Sequence, residues 1–298
     1  MKIAITGATG FVGTNLYNYL KTSNQIEYLK VRYKKNQQFN FNANVLIHLS
    51  GKAHDLKKVS NKQEYYDANY KLTKQLFDAF LISESQLFIF FSSVKAVADN
   101  VNGLLNETQT PNPQTHYGKS KLLAENYILS KELPPNKRIF IFRPSMIHGP
   151  GNKGNLNLLY KIVAKRIPWP LGVFENQRSF CSIDNVCFVI NEILENKNIT
   201  SGIYNLADDS AVSTNLLIEL ISISQNKEAT IYKIPKKLIV TLAKFGDYFR
   251  LPLNSERLQK LTESYVVSNE KIVKAIGKPL PVSTEEGLIK TLKSFNKI

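Results

Sequence analysis

Cysteine is nearly missing from this sequence: Cys181 and Cys187 are the two thiols in 298 residues. They cannot build a disulfide framework or a multi-cysteine metal centre, and they read as buried thiols in a reducing compartment. The four histidines show no metal-ligand spacing, so no metal is expected. No run of about 18 apolar residues occurs, so no membrane span is expected. A leader is not expected either, since the first residues already read as a strand, and the expected location is cytoplasmic. Acid is in short supply, with 24 Asp and Glu against 39 Lys and Arg, a net charge of +15. The lysines are scattered, with short pairs such as Lys34-Lys35 and Lys236-Lys237. Aromatic–basic interleaving and a helix-turn-helix pattern are both lacking, which argues against nucleic acid as a partner. The charge leaves three readings: a solvated basic surface, attraction to phosphorylated small molecules, or loose association with an anionic membrane.

Glycine is present where it matters. Lys2-Ile3-Ala4-Ile5-Thr6 reads as a short strand, followed by Gly7-Ala8-Thr9-Gly10-Phe11-Val12-Gly13. Gly7 can take the positive φ of a tight strand-to-helix turn. Gly10 lets backbone approach a diphosphate, and Gly13 lets the helix pack close to the strand. The first N–H groups of that helix would then face the anion. The spacing is G-x-x-G-x-x-G rather than G-x-G-x-x-G, and an ordinary packed turn has the same glycines.

A second cluster lies at Ser92-Ser93 and Tyr117-Gly118-Lys119-Ser120-Lys121. A Tyr and a Lys four apart share a helix face. The ammonium is expected to favour the phenolate and bring Tyr117 toward the working pH, while Ser93 holds a substrate oxygen. That set suits proton transfer at a carbinol coupled to hydride transfer; a chance pair on a surface helix is the alternative.

Periodicity supplies the frame. Strands are expected at 2–6, 25–31, 45–48, 87–91 and 138–142, with helices at about 11–22, 62–83 and 115–131. Alternating strand and helix implies a parallel sheet whose ligands sit beyond the strands' carboxyl ends. Beyond residue 150 the pattern loosens. It gives helices near 156–166, 184–196 and 235–249, an extended segment at 168–172 and a strand over 178–183.

These motifs, in this order, resemble the extended short-chain dehydrogenase/reductase family, in its NAD-dependent epimerase/dehydratase group. The likeness includes Gly7 to Gly13, His48-Leu49-Ser50-Gly51, Asn69, Ser92-Ser93, Tyr117 with Lys121, and Arg143 to Gly151. It implies an α/β fold: a Rossmann-type doubly wound parallel sheet, with a smaller α/β substrate lobe formed by C-terminal segments. Residues 1–150 would bind the dinucleotide, 179–205 would return to that domain, and 151–298 would mainly form the interleaved lobe. The likeness makes Ser93, Tyr117 and Lys121 catalytic. It places cofactor contacts at Gly7, Thr9, Gly10, Phe11, Val12, Leu49, Ser50, Gly51, Asn69, Tyr117, Lys121, Pro144 and Met146. Substrate contacts fall at Ser93, Lys95, Asn155 and Arg178. A homodimer through helices 62–83 and 115–131 is a further expectation of the likeness.

The residue after the second strand selects the dinucleotide. Here it is Arg32-Tyr33-Lys34-Lys35, with no acid between Glu27 and Asp55. Arg32 therefore favours NADP(H) over NAD(H), which remains possible. Sugar dehydratases of the family carry an acidic pair after the catalytic hydroxyl, whereas Val94-Lys95-Ala96 stands here, which argues against elimination. Lys95 has two readings, a contact to a substrate hydroxyl or a structural lysine. Arg178 could hold a sugar-nucleotide diphosphate or form an interlobe ion pair, with Asp184 the candidate acid. Trp169 could stack on a nucleobase or simply pack.

The nearest subgroup in resemblance contains bacterial UDP-4-keto-6-deoxy-N-acetylhexosamine reductases and UDP-sugar 4-epimerases of polysaccharide synthesis. Ala98 and His148 depart from its pattern, where a glycine and a tyrosine are usual. A UDP-sugar substrate is thus expected, with reduction preferred, epimerisation the alternative, and non-catalytic dinucleotide sensing a third reading.

Overall fold

A computed structural model describes residues 1–52, 61–152, 154–249, 251 and 254–295. The first half contains β1 (Lys2–Thr6), α1 (Phe11–Leu20), β2 (Gln25–Leu29), β3 (Val45–His48), α2 (Gln63–Tyr65), α3 (Leu72–Ile82), β4 (Leu87–Phe91), β5 (Leu104–Leu105), α4 (His116–Leu129) and β6 (Arg138–Pro144). It continues with β7 (Met146–His148), α5 (Asn155–Ala164), β8 (Arg178–Ser182), α6 (Ile183–Glu195), β9 (Gly202–Leu206), β10 (Ala211–Val212) and α7 (Thr214–Ser224). The last segments are α8 (Lys236–Phe249), α9 (Ser255–Thr262), β11 (Val266–Val267), α10 (Glu270–Ile276) and α11 (Thr284–Phe295).

Six strands form one parallel sheet in the order β2-β1-β3-β4-β6-β9. β3 and β4 are buried along their whole length, because helices cover both faces of a parallel sheet. Alternation then assigns each side chain to a face. Ile3, Ile5, Ile47 and Ile89 pack with α1 and α6. Ala4, Leu46, Phe88 and Phe90 meet Leu76, Phe77 and Phe80 of α3 and Ala124 and Ile128 of α4. The chain reverses direction across the sheet between β1 and β3, the place where open α/β sheets bind ligands.

A second core draws on α5, α7, α8, α9 and α11, with Leu156, Phe180, Leu217, Ile221, Ile239, Leu258 and Leu292. Trp169 is buried within it, so of its two readings the structure selects packing. Arg178 starts β8, which pairs with β7 and β10 in a separate small sheet. Cys181 and Cys187 flank the β8–α6 junction as buried free thiols. Burial raises both thiol pKa values, with Asp208 and Asp184 adding to it respectively.

Two sequence expectations need adjustment. β2 stops at Leu29, two residues before the alternation suggested. The helix expected over 62–83 is not uniform: α2 and α3 are joined by a π-helical segment, Tyr66–Lys71.

Candidate active site

The sheet brings its motifs to one edge. The turns after β1, β3, β4 and β6 hold Gly7, Leu49, Ser92 and Ser145 in turn, and parallel pairing puts all four at the same carboxyl-terminal rim. At β1, Gly7 has φ +68° and a Cβ there would lie 2.8 Å from the Ser50 nitrogen. Turn and β3 rim thus touch backbone to backbone. A Cβ on Gly13 would meet the Gly7 carbonyl oxygen at 2.5 Å and Ala8 Cα at 2.6 Å, the close approach its position suggested. At Gly10 a Cβ would find only the Gly7 oxygen, at 3.2 Å. Gly10 caps α1 without a side-chain hydrogen bond, and no acid occupies the first turn. Thr9 and Gly10 are exposed and Phe11 and Val12 half-buried. An uncapped, acid-free helix N-terminus beside bare glycine fits a diphosphate.

A buried hydrogen-bond relay braces this cradle. The Ser50 N–H donates to Thr6 Oγ1 at 3.1 Å, and Thr6 Oγ1 meets His48 Nδ1 at 2.7 Å. His48 Nε2 meets Thr73 Oγ1 at 2.9 Å, and that hydroxyl donates to the Asn69 carbonyl at 2.8 Å. Thr73 has spent its one proton, so His48 must donate from Nε2 and accept at Nδ1. Burial, reinforced by the Lys121 charge, lowers the His48 pKa to about 3, which keeps the ring neutral. His48 therefore acts through its side chain as a cross-brace.

Asn69 explains the π segment. Such bulges rotate side chains out of helical register and mark functional positions. Here Asn69 is fully buried and clamps the chain after Gly51. It accepts from the Lys52 N–H at 2.8 Å, donates to the Lys52 carbonyl at 3.1 Å and donates to Ser120 Oγ at 3.0 Å. A Cβ on Gly51 would fall 2.7 Å from Asn69 Oδ1 and 3.2 Å from Lys121 Nζ. Three residues far apart in sequence thus converge at the β3 rim.

α4 begins at a Thr115 cap that accepts from the Gly118 N–H, which sets the phase of Tyr117 and Lys121. Ser93 is buried just after β4, on the side of the Tyr117 phenol. Burial raises the Tyr117 pKa above 10, and Ser93 works against that rise. The Lys121 ammonium donates to the Phe91 carbonyl, at 2.7 Å, and lies 4.9 Å from the Phe90 ring centre. Burial lowers the Lys121 pKa to about 8, with Glu125 opposing.

Glu125 belongs to a group that sequence reasoning missed. It accepts from Ser92 Oγ and from Arg143, with Nε at 3.1 Å and Nη2 at 2.5 Å. Both charged side chains are almost fully buried. They fasten α4 to β4 and β6, so the helix that carries Tyr117 and Lys121 is held by an ion pair under the site. The available signal was Glu125 four positions after Lys121, hence on its face, together with Arg143 ending an apolar strand.

The expected substrate side is occupied by a different arrangement. Arg178 donates from Nε to the Glu263 carbonyl at 3.1 Å and from Nη2 to the Lys260 carbonyl, at the end of α9. Its acid is Glu263, at 3.5 Å, and not Asp184, which pairs with Lys290 at 2.6 Å. Lys95 donates to the Asp99 carbonyl at 2.6 Å and sits 4.2 Å from the Tyr265 ring centre. Burial lowers its pKa, with Glu263 opposing. Pro144 is buried at the end of β6 and Met146 is partly exposed beyond it. Arg32 is exposed after β2. The side chain of Asn155 lies outside the described residues, though its backbone opens α5. Among the described residues no group of His, Cys, Asp and Glu could hold a metal ion.

A parallel α/β sheet with a glycine cradle at its reversal point, and a Ser–Tyr–Lys set on the same rim, defines a Rossmann-type oxidoreductase-like enzyme. The chain belongs to the NAD dependent epimerase/dehydratase family, whose sequence model matches residues 3–207. It is 27% identical to a UDP-glucose 4-epimerase from Vibrio cholerae, over 98% of this chain and 95% of that one. It is also 27% identical to an N-acetyl-α-D-glucosaminyl-diphospho-ditrans,octacis-undecaprenol 4-epimerase from Escherichia coli O157:H7, over 91% and 84%. Among solved structures, a UDP-glucuronic acid 4-epimerase from Bacillus cereus in complex with NAD superposes with a TM-score of 0.74 at 19% identity, covering 100% of this chain and 99% of the other. RMD from Pseudomonas aeruginosa complexed with NADPH gives 0.72 at 18%, over 100% and 99%. These two likenesses concern the fold.

Proposed function

We propose that this enzyme performs oxidoreduction at C4 of a nucleotide-activated sugar, and specifically the NADPH-dependent reduction of a UDP-4-keto-6-deoxy-N-acetylhexosamine for surface polysaccharide synthesis. The observation that carries the chemistry is the convergence of Ser93, at the end of β4, with Tyr117 and Lys121 of α4 on the rim of the glycine cradle. When bound, the dinucleotide supplies the hydride. The cradle of Gly7, Gly10 and the first turn of α1 would hold its diphosphate. Asn69 and Lys121 shape the wall at Gly51. Ser93 orients the carbonyl oxygen, and Tyr117 gives that oxygen its proton.

Two sequence features support the finer reading. Val94-Lys95-Ala96 follows Ser93, and both Val94 and Ala96 are buried, so this turn offers no carboxylate for elimination. The exposed Arg32, with Lys34 and Lys35, suits an adenosine 2′-phosphate. The one carboxylate of β2, Glu27, is engaged with Lys2 at 3.2 Å.

The test is cofactor preference. Arg32→Ala should raise the Kd for NADPH roughly ten- to hundredfold and leave NADH nearly unchanged. Wild-type protein that binds NADH as tightly as NADPH would remove this reading. It would favour the second one, a UDP-sugar 4-epimerase with retained NAD, which the end-to-end match to the Vibrio cholerae relative supports.

A further inference from the structure

α8 is amphipathic in an unusual sense. Its inward residues are Ile239, Ala243 and Gly246: Ile239 enters the lobe core, and the two small residues let the helix lie close on it. Its large apolar residues point outward: Leu238, Leu242, Phe245, Tyr248 and Phe249 are 52–83% exposed, and Leu251 beyond the helix end is 49% exposed. Positions 238, 242, 245 and 249 follow the helical repeat and form one stripe. The aromatic end is a cluster, with Phe245 and Phe249 centroids 4.8 Å apart and Tyr248 and Phe249 4.9 Å apart. An exposed apolar patch of this kind marks an interaction surface.

The exposed charges on the helix and just before it are mainly lysines. Lys233, Lys236, Lys237 and Lys244 are exposed on or next to the helix. Its one acid, Asp247, is turned to α9, where it accepts from the Ser255 N–H at 2.9 Å and from the Ser255 hydroxyl. The whole chain carries +15. A second copy would set like charges against each other, whereas an anionic lipid surface meets both the lysines and the apolar stripe. Fourteen residues are too few to span a bilayer, which takes about 20, and no described helix is long and apolar enough to cross.

We propose that α8 docks the enzyme on an anionic membrane surface, lying in the interface with Leu238, Leu242, Phe245, Tyr248 and Phe249 inserted and its lysines at the headgroups. The docked face belongs to the lobe that carries Arg178, through α9, and not to the dinucleotide half. The proposal is independent of the chemistry argued above.

Vesicle sedimentation with the full chain tests it. Binding to phosphatidylglycerol–phosphatidylethanolamine vesicles should be strong at low salt, weaken as salt is raised, and be far weaker on phosphatidylcholine alone. The triple variant Lys236→Ser, Lys237→Ser, Lys244→Ser should bind about a hundredfold more weakly, and Phe245→Ser with Phe249→Ser at least about tenfold more weakly. These positions are solvent-facing and outside the site, so unchanged melting and turnover in solution check that both variants fold. Equal binding to neutral vesicles, or variants that bind like wild type, would overturn the proposal. So would a concentration-dependent dimer abolished by the Phe245 and Phe249 changes in a protein that ignores vesicles, since that would make the face a self-association surface.

Discussion

Replacing Lys121 by Met should make the protein more stable and inactive at once. Lys121 is 5% exposed, and burial drops its pKa from 10.5 to about 8. Each pKa unit corresponds to 1.36 kcal/mol, so holding the charged form in the fold costs about 3 kcal/mol at neutral pH. The ammonium recovers part of this through its bond to the Phe91 carbonyl, a contribution of about 0.5–1.5 kcal/mol. Methionine fills similar volume without charge, so a net gain of about 1–3 kcal/mol is expected, or roughly 2–4 °C in Tm for each kcal/mol at this chain length. The pH dependence follows. A lysine depressed in the fold binds fewer protons there than in the unfolded chain between pH about 8 and 10.5. Wild-type stability should therefore rise with pH across that window from this group, and be lowest below it. The Met variant should lose that rise. Thermal unfolding of both proteins at pH 7 and pH 10, with turnover at pH 7, measures all three effects. A Met variant that melts lower at pH 7, or one that keeps wild-type turnover, would refute the reasoning.

Other outcomes follow from the same geometry. Glu125→Ala strands the Arg143 guanidinium in the core and should cost about 3–5 kcal/mol, read by urea unfolding; a loss under 1 kcal/mol would mean that the pair does not anchor α4. Gly13→Ala drives a Cβ into the Gly7 carbonyl and should weaken dinucleotide binding along with stability, and unchanged calorimetric affinity would count against the cradle. Arg178→Ala should weaken UDP binding roughly ten- to hundredfold with dinucleotide affinity kept. Lowered melting with unchanged UDP affinity would instead confine Arg178 to holding the end of α9.

The rim was legible because its demands are local. A positive φ at Gly7, a Cβ-free approach at Gly13 and a Tyr–Lys pair on one face leave short-range marks, and β3 and β4 kept the bounds read from their apolar runs. What escaped depends on distant partners. β5 and β11 are two-residue strands that pair across some 160 positions, and nothing in Leu104-Leu105 announces Val266-Val267. The ion pair of Glu125 and Arg143 and the tautomer of His48 arise only once β3, β4 and α4 meet. The ion pair of Arg178 was sought at Asp184, because its actual acid, Glu263 at the end of α9, lies about 80 residues on. The spacing of Tyr117 and Lys121 likewise says nothing of the Phe91 carbonyl to which the ammonium donates.

The most direct measurement of the central claim is NADPH oxidation by the purified protein with a UDP-4-keto-6-deoxy-N-acetylhexosamine, for wild type and Tyr117→Phe. The account predicts stoichiometric consumption by wild type and a loss of about 10²–10⁴-fold in the variant, with dinucleotide affinity retained. A variant within about tenfold of wild type would contradict Tyr117 as the proton donor, and wild-type protein that consumes no NADPH on this substrate would contradict the reductase.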